Sequence, residues 1–153
     1  MSIWLNILQG NRETALIRGQ YTGDLAVLRA IPQEVCRSPL SCFADIVTVP
    51  VDISTPWAIT YLLQLGLRPA TVLELIYFGI QQEPLVPHWV HDPNKPRNYL
   101  VALGSPVKDP QFRSENTGSF PAIHISPGHR RHITSVNGEL LWEAGTSFLG
   151  VKI

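Results

Sequence analysis

Five histidines, all in the second half of the chain, have the widest chemical reach of its side chains: His88, His91, His124, His129 and His132. Imidazole exchanges its proton near neutral pH and, when neutral, is a good metal ligand. Two of the five recur in one pattern, His124-Ile125-Ser126 and His132-Ile133-Thr134. Around them lies a local excess of positive charge. Between Pro84 and His132 six basic residues (Lys95, Arg97, Lys108, Arg113, Arg130, Arg131) face only Asp92, Asp109 and Glu115. That stretch carries a formal +3 and the rest of the chain −3, so the overall net charge of zero conceals a polarised molecule. A positive face of this kind suits an anion or an acidic partner.

Three kinds of chemistry compete for these residues. The first is a non-catalytic binding or assembly role. His88, Trp89, His91, Arg97, His129, Arg130 and Arg131 would form a basic loop-and-hairpin face that grips an acidic partner or a small anion. Trp89 between two histidines is read as an exposed anchor, since exposed tryptophan beside arginine is a common interface hot spot, and it could also stack a nucleic-acid base. The second is a metal-independent phosphodiesterase or RNase. His124 and His132 would serve as general acid and base, and Arg131 would stabilise the phosphorane. A strand's period of two puts His124 with Ser126, and His132 with Thr134, on one face, but a one-residue slip in pairing would send one imidazole to the other side. The third is a histidine-ligated metal hydrolase, with His88 and His91 joined by His124 or His132 and Asp92 completing the set. His88-Trp89-Val90-His91 lacks the helical spacing and the glutamate of H-E-x-x-H, so no metal and no cofactor is assigned. The binding role leads, and whether any catalytic step occurs stays open. A protein partner is expected, with a small anion or nucleic acid as alternatives.

Other chemistries lack their residues. G-x-x-x-x-G-K-[ST], G-x-G-x-x-G and G-x-S-x-G are all missing, which removes P-loop, Rossmann and α/β-hydrolase readings. Acidic residues are spaced singly, without the paired carboxylates of a glycosidase. Twelve Lys and Arg balance 12 Asp and Glu, which excludes a histone-like nucleic-acid binder and leaves little repulsion against self-association, so a homo-oligomer is expected. The start of the chain has neither a basic n-region nor a long apolar core, and reads as no secretory signal. The longest apolar stretch, Trp57 to Ile80, is interrupted by Gln64, Arg68, Pro69 and Glu74, so no membrane span is expected. Cys36 and Cys42 are too few for a disulfide scaffold and are read as reduced thiols, with a short-loop disulfide as the alternative. The cytoplasm is the expected location.

The elements that must position these side chains can be read from punctuation and periodicity. A length of 153 residues suits a single domain over 1–153. Six of the 13 prolines fall between Pro84 and Pro110, so Glu83 to Lys95 reads as a long surface loop. The first block suggests strands at Ile3–Leu8 and Thr14–Arg18 joined by a turn at Gly10-Asn11, then a short helix over Gly23–Ile31 capped by Asp24. Phe43–Val51 has the β-branched enrichment of a strand. A helix begins at Ser54 or Thr55 with Pro56 in its first turn, carries Trp57, Tyr61, Leu62 and Leu65 as one apolar stripe, and stops at Gly66. A second follows from Pro69 to Gln82, and the short connection implies helices packed on each other. Trp57 and Trp142 are read as core. Strands are expected at Asn98–Leu103, Phe120–Ser126, Arg131–Val136, Glu139–Glu143 and Ser147–Val151, with a Pro-Gly turn at Ser126–His129 and a hairpin turn at Asn137-Gly138. The order of elements predicts an α+β fold: a mostly antiparallel sheet, two consecutive central helices and a C-terminal β-meander.

Overall fold

The computed structural model describes residues 3–7, 12–23, 41–81, 99–106, 119–126, 130–138 and 141–153. Their elements run β1 (Ile3–Asn6), α1 (Arg12–Arg18), β2 (Thr22–Gly23), β3 (Ser41–Thr48), α2 (Thr55–Gln64), β4 (Leu67–Pro69), α3 (Val72–Gln81), β5 (Leu100–Val101), β6 (Ser119–Ser126), β7 (Arg130–Asn137) and β8 (Ser147–Lys152). The class is α+β. The eight strands form one mixed, mostly antiparallel sheet in the order β1-β3-β8-β5-β6-β7-β2, with β4 also paired to β8. Only the β2–β7 and β5–β8 pairings are parallel.

The last strand in the chain lies at the centre of the sheet. β8 pairs with β3 along one side; along the other it meets β5 near its start and β4 near its end. Phe148, Leu149, Gly150 and Val151 are all buried, as expected for a strand covered on both faces. Alternation along β3, β5 and β8 sorts the core into two layers. Ala44, Leu100, Leu149 and Val151 pack with Ala15 and Leu16 of α1 and Val72, Leu75, Ile76 and Phe78 of α3. Val47, Val101 and Phe148 pack with Ala58 and Leu62 of α2 and with Trp142.

The two consecutive helices therefore lie on opposite faces rather than against each other. The reason is β4: Leu67–Pro69 joins the sheet between them, so the connection passes through the sheet's plane. The buried stripe of α2 also differs from the expected one. Ala58 and Leu62 face the sheet, while Trp57 is 66% and Leu65 52% exposed. Only Trp142 of the two expected core tryptophans is buried. Its Nε1 donates to Thr55 Oγ1 at 2.9 Å and its ring meets Phe148 edge-on at 5.3 Å.

Two further expectations are corrected, and a third is left largely untouched. Arg12–Arg18 is helical, not a strand, because Ala15, Leu16 and Gly19 turn inward while Ile17 and Arg18 turn out, a helical rather than a two-residue spacing. Thr22–Gly23 is a short strand; most of the helix expected over 23–31 lies outside the described residues. Of the strand expected over 139–143, residues 139 and 140 lie outside the described residues, and Leu141–Glu143 form no strand: Trp142 makes only an isolated bridge, to Ile53. Gly138 leaves β7 to accept a hydrogen bond from Thr55 Oγ1.

The start of α3 holds the one fully buried charged side chain among the described residues. Glu74 is fully buried and Arg68, reaching from β4, grips it with both guanidinium nitrogens at 2.8 and 2.7 Å. Thr71 and Glu74 form a capping box: Thr71 N–H donates to Glu74 Oε1 at 2.8 Å, and Glu74 N–H to Thr71 Oγ1 at 3.4 Å, meeting two donors that a helix start leaves unpaired. Val72 N–H donates to Ser105 Oγ at 2.8 Å. Cys42, a buried thiol on β3, donates to Glu74 Oε2 at 3.6 Å; Cys36 lies outside the described residues. The pairing with Glu74 holds the Arg68 pKa above its ordinary value, with burial working against it. Truncation of Arg68 to alanine would strand a carboxylate in the core, and is expected to cost about 3 kcal/mol in urea unfolding. Glu74→Gln added to Arg68→Ala should recover part of that loss.

Candidate functional site

The β6–β7 hairpin sets the geometry of the histidines. Its register pairs Ser119 with Asn137 through to Ser126 with Arg130, and brings His124 directly opposite His132. Phe120 and Ala122, four and two residues before His124, belong to the α2-side layer, whereas Ile123 and Ile133 lie in the layer under α1 and α3. Both imidazoles are thus on the α2 side of the sheet and partly buried. Their rings stack at 4.7 Å between centroids with planes only 10° apart. Tyr99 meets His124 edge-on at 5.2 Å.

β2 completes the surround. It runs parallel to β7 with Thr22 beside His132 and Gly23 beside Ile133. Gly23 has φ of +114°, and a Cβ there would run into the Ile133 carbonyl, so the short strand can approach only with glycine at this position. Thr22 Oγ1 stands 3.0 Å from His132 Nδ1 and 3.3 Å from the Arg131 carbonyl oxygen. The hydroxyl has one proton and the carbonyl has none. Both contacts are met together when Thr22 donates to Arg131 O and His132 carries its ring proton on Nδ1.

Arg131 is placed differently. As the neighbour of His132 on β7 it emerges on the opposite face, where Nε donates to Gly79 O at 3.0 Å and Nη1 to Gly19 O at 2.8 Å. These carbonyls lie in the last turn of α3 and just after α1, where helix carbonyls lack partners and a cation is favoured. Tyr21 reinforces the junction: its hydroxyl donates to Ile76 O at 2.7 Å, and burial pushes its pKa well up, opposed by the charge of Arg131. A Cβ on Gly79 would collide with the Tyr21 hydroxyl.

The structure thus brings His124 and His132 together and separates Arg131 from them by the thickness of the sheet. Arg130 begins β7 opposite Ser126. His88, Trp89, His91, Arg97 and His129 lie outside the described residues. Thr22 and Tyr99 were missed by sequence reasoning; a single Thr-Gly step carries no pattern by which a two-residue edge strand could be found. Among the described residues no group of three or more His, Cys, Asp or Glu gathers as a metal site would, and no helix is long and apolar enough to cross a membrane. Comparisons with protein families, curated proteins and solved structures found no match to this chain.

The stack restricts what the pair can do. With carbon–carbon contact at about 3.5–4.0 Å, rings 4.7 Å apart leave no gap for a phosphorus centre flanked by acid and base. Charging both rings is also opposed: two unit charges at that separation repel by about 3–4 kcal/mol at an effective dielectric of about 20. An oxyanion resting against the pair would offset that repulsion. Arg131→Ala should behave as a loss of structure rather than of the site, lowering stability by about 2–4 kcal/mol in thermal or urea unfolding, while ring-to-ring nuclear Overhauser contacts between His124 and His132 persist.

Proposed function

We propose that this chain is a cytoplasmic, non-catalytic binding protein that takes the oxyanion groups of an acidic protein partner on the His124–His132 face of the β6–β7 hairpin. The observation that carries this reading is the stacking of the two imidazoles on one side of the sheet. A stacked pair is a compact donor surface whose positive charge grows when a negative group arrives. The same placement is poor equipment for in-line phosphoryl chemistry, which needs acid and base on opposite sides of the reacting centre and a cation beside it. The partly buried position suits recognition too, since a hydrogen bond to a charged group gains strength where water is thinned.

Same-face imidazoles are also the one feature favouring a histidine-dependent, metal-independent phosphodiesterase, and a single set of measurements separates the two. Sulfate is titrated into the protein at pH 6 and low salt, with the histidine ring signals followed by NMR. Saturable shifts at both rings are expected, and His124→Asn with His132→Asn should weaken binding at least tenfold. No shift at either ring would overturn the binding reading. Cleavage of an RNA oligonucleotide in the presence of a chelator, lost in His132→Asn, would replace it with the catalytic one.

A further inference from the structure

We propose that anion capture at this face is coupled to uptake of a proton on His132 Nε2, and that Thr22 enforces the coupling by holding the ring in its Nδ1–H form. This rests on the binding reading above. The ligand class is an oxyanion, whether carboxylate, sulfate or phosphodiester, because all three present acceptor oxygens and, near neutral pH, no proton of their own at the contact.

Thr22 Oγ1 lies within hydrogen-bond reach of both His132 Nδ1 and Arg131 O, at 3.0 and 3.3 Å. Only one arrangement satisfies both contacts, with Thr22 donating to the carbonyl and accepting from Nδ1–H. That bond is the same in neutral and charged His132, so Thr22 imposes no change when the ring protonates. Every change falls on Nε2. In the neutral ring Nε2 presents a lone pair, which repels an oxyanion. Once protonated it presents a charged N–H, the stronger class of donor. An anion therefore enters with a proton or binds weakly.

The groups that face His132 from each described element fit this assignment. β6 supplies the stacked His124 ring, the second imidazole at this face. β2 supplies Thr22, which does not titrate. The residue before β5 supplies the phenol of Tyr99, on the far side of His124. On β7 itself the charge of Arg131 is directed to the other face of the sheet, at Gly79 and Gly19.

Sign and size follow from linkage. A site that gains a proton on binding holds its ligand best below the range in which imidazole titrates and loses it as pH rises, by up to tenfold per pH unit for one proton. Sulfate is the probe, since it keeps its charge throughout. Its dissociation constant, followed at the histidine rings from pH 5.5 to 8.5, is expected to rise towards that tenfold slope at the upper end. Histidine ring ¹⁵N spectra of the neutral protein should show His132 protonated on Nδ1. Thr22→Val removes the acceptor, frees the Nε2–H tautomer and should flatten the pH slope; Thr22→Ser should restore it. A ring protonated on Nε2 in the wild-type protein, or a dissociation constant independent of pH, would overturn the coupling while leaving the binding reading intact. Failure of sulfate to move either ring at any pH would overturn both.

Discussion

The pleat of β7 governs the chemistry of this molecule. Successive side chains on a strand must leave by opposite faces, so Arg131 and His132, adjacent in the chain, cannot serve one site. His132 goes to the α2 side, where the register with β6 sets it against His124. Arg131 goes to the side of α1 and α3, where its guanidinium joins the carboxyl-terminal ends of both helices. One alternation thus supplies both the candidate site and the fastening beneath it. Ile123 and Ile133, fully or almost fully buried on the Arg131 side, hold that alternation in place, since a slip of one residue would drive both into the opposite layer and the histidines into the core.

A second constraint organises the other half of the sheet. The buried carboxylate of Glu74 needs charge and hydrogen bonds around it. Arg68, Thr71 and Cys42 provide them from β4, the start of α3 and β3. These contacts fasten the connection between α2 and α3 where it passes through the sheet, so α3 begins at a defined point over β8 and reaches the Arg131 junction at its other end. The buried carboxylate in this way also aligns three elements.

Elsewhere the surface carries an aromatic pair at some distance from the histidines. Trp4 and Phe43 pair edge-on at 4.6 Å on neighbouring strands, with the Lys152 ammonium over the Phe43 ring. They lie at the β1 end of the sheet, with β8, β5 and β6 between them and β7. The Trp4–Phe43 pair and the imidazoles are therefore separate features, joined through the sheet that bears both.

Much of the local structure was legible in the chain. Pro56 and Gly66 bracket α2 and the β-branched run announces β3, because turn chemistry and backbone sterics act within a few residues. The spacing of His124 and His132 about a Pro-Gly step likewise implied a hairpin that could bring them to one face, and the α+β class followed from element order. What could not be read were the consequences of long-range pairing. The insertion of β8 between β3 and β5, the separation of α2 from α3 by the sheet, the exposure of Trp57 and the capture of Arg131 by helix carbonyls all depend on partners far away in sequence. Thr22 is the sharpest instance: it touches His132 across 110 positions, and nothing within its own neighbourhood distinguishes it from any other threonine. The chain by itself determined which segments would be helix or strand wherever short-range sterics dominate; tertiary packing alone decided which side chains would meet, because burial selects faces only once every strand has found its neighbour.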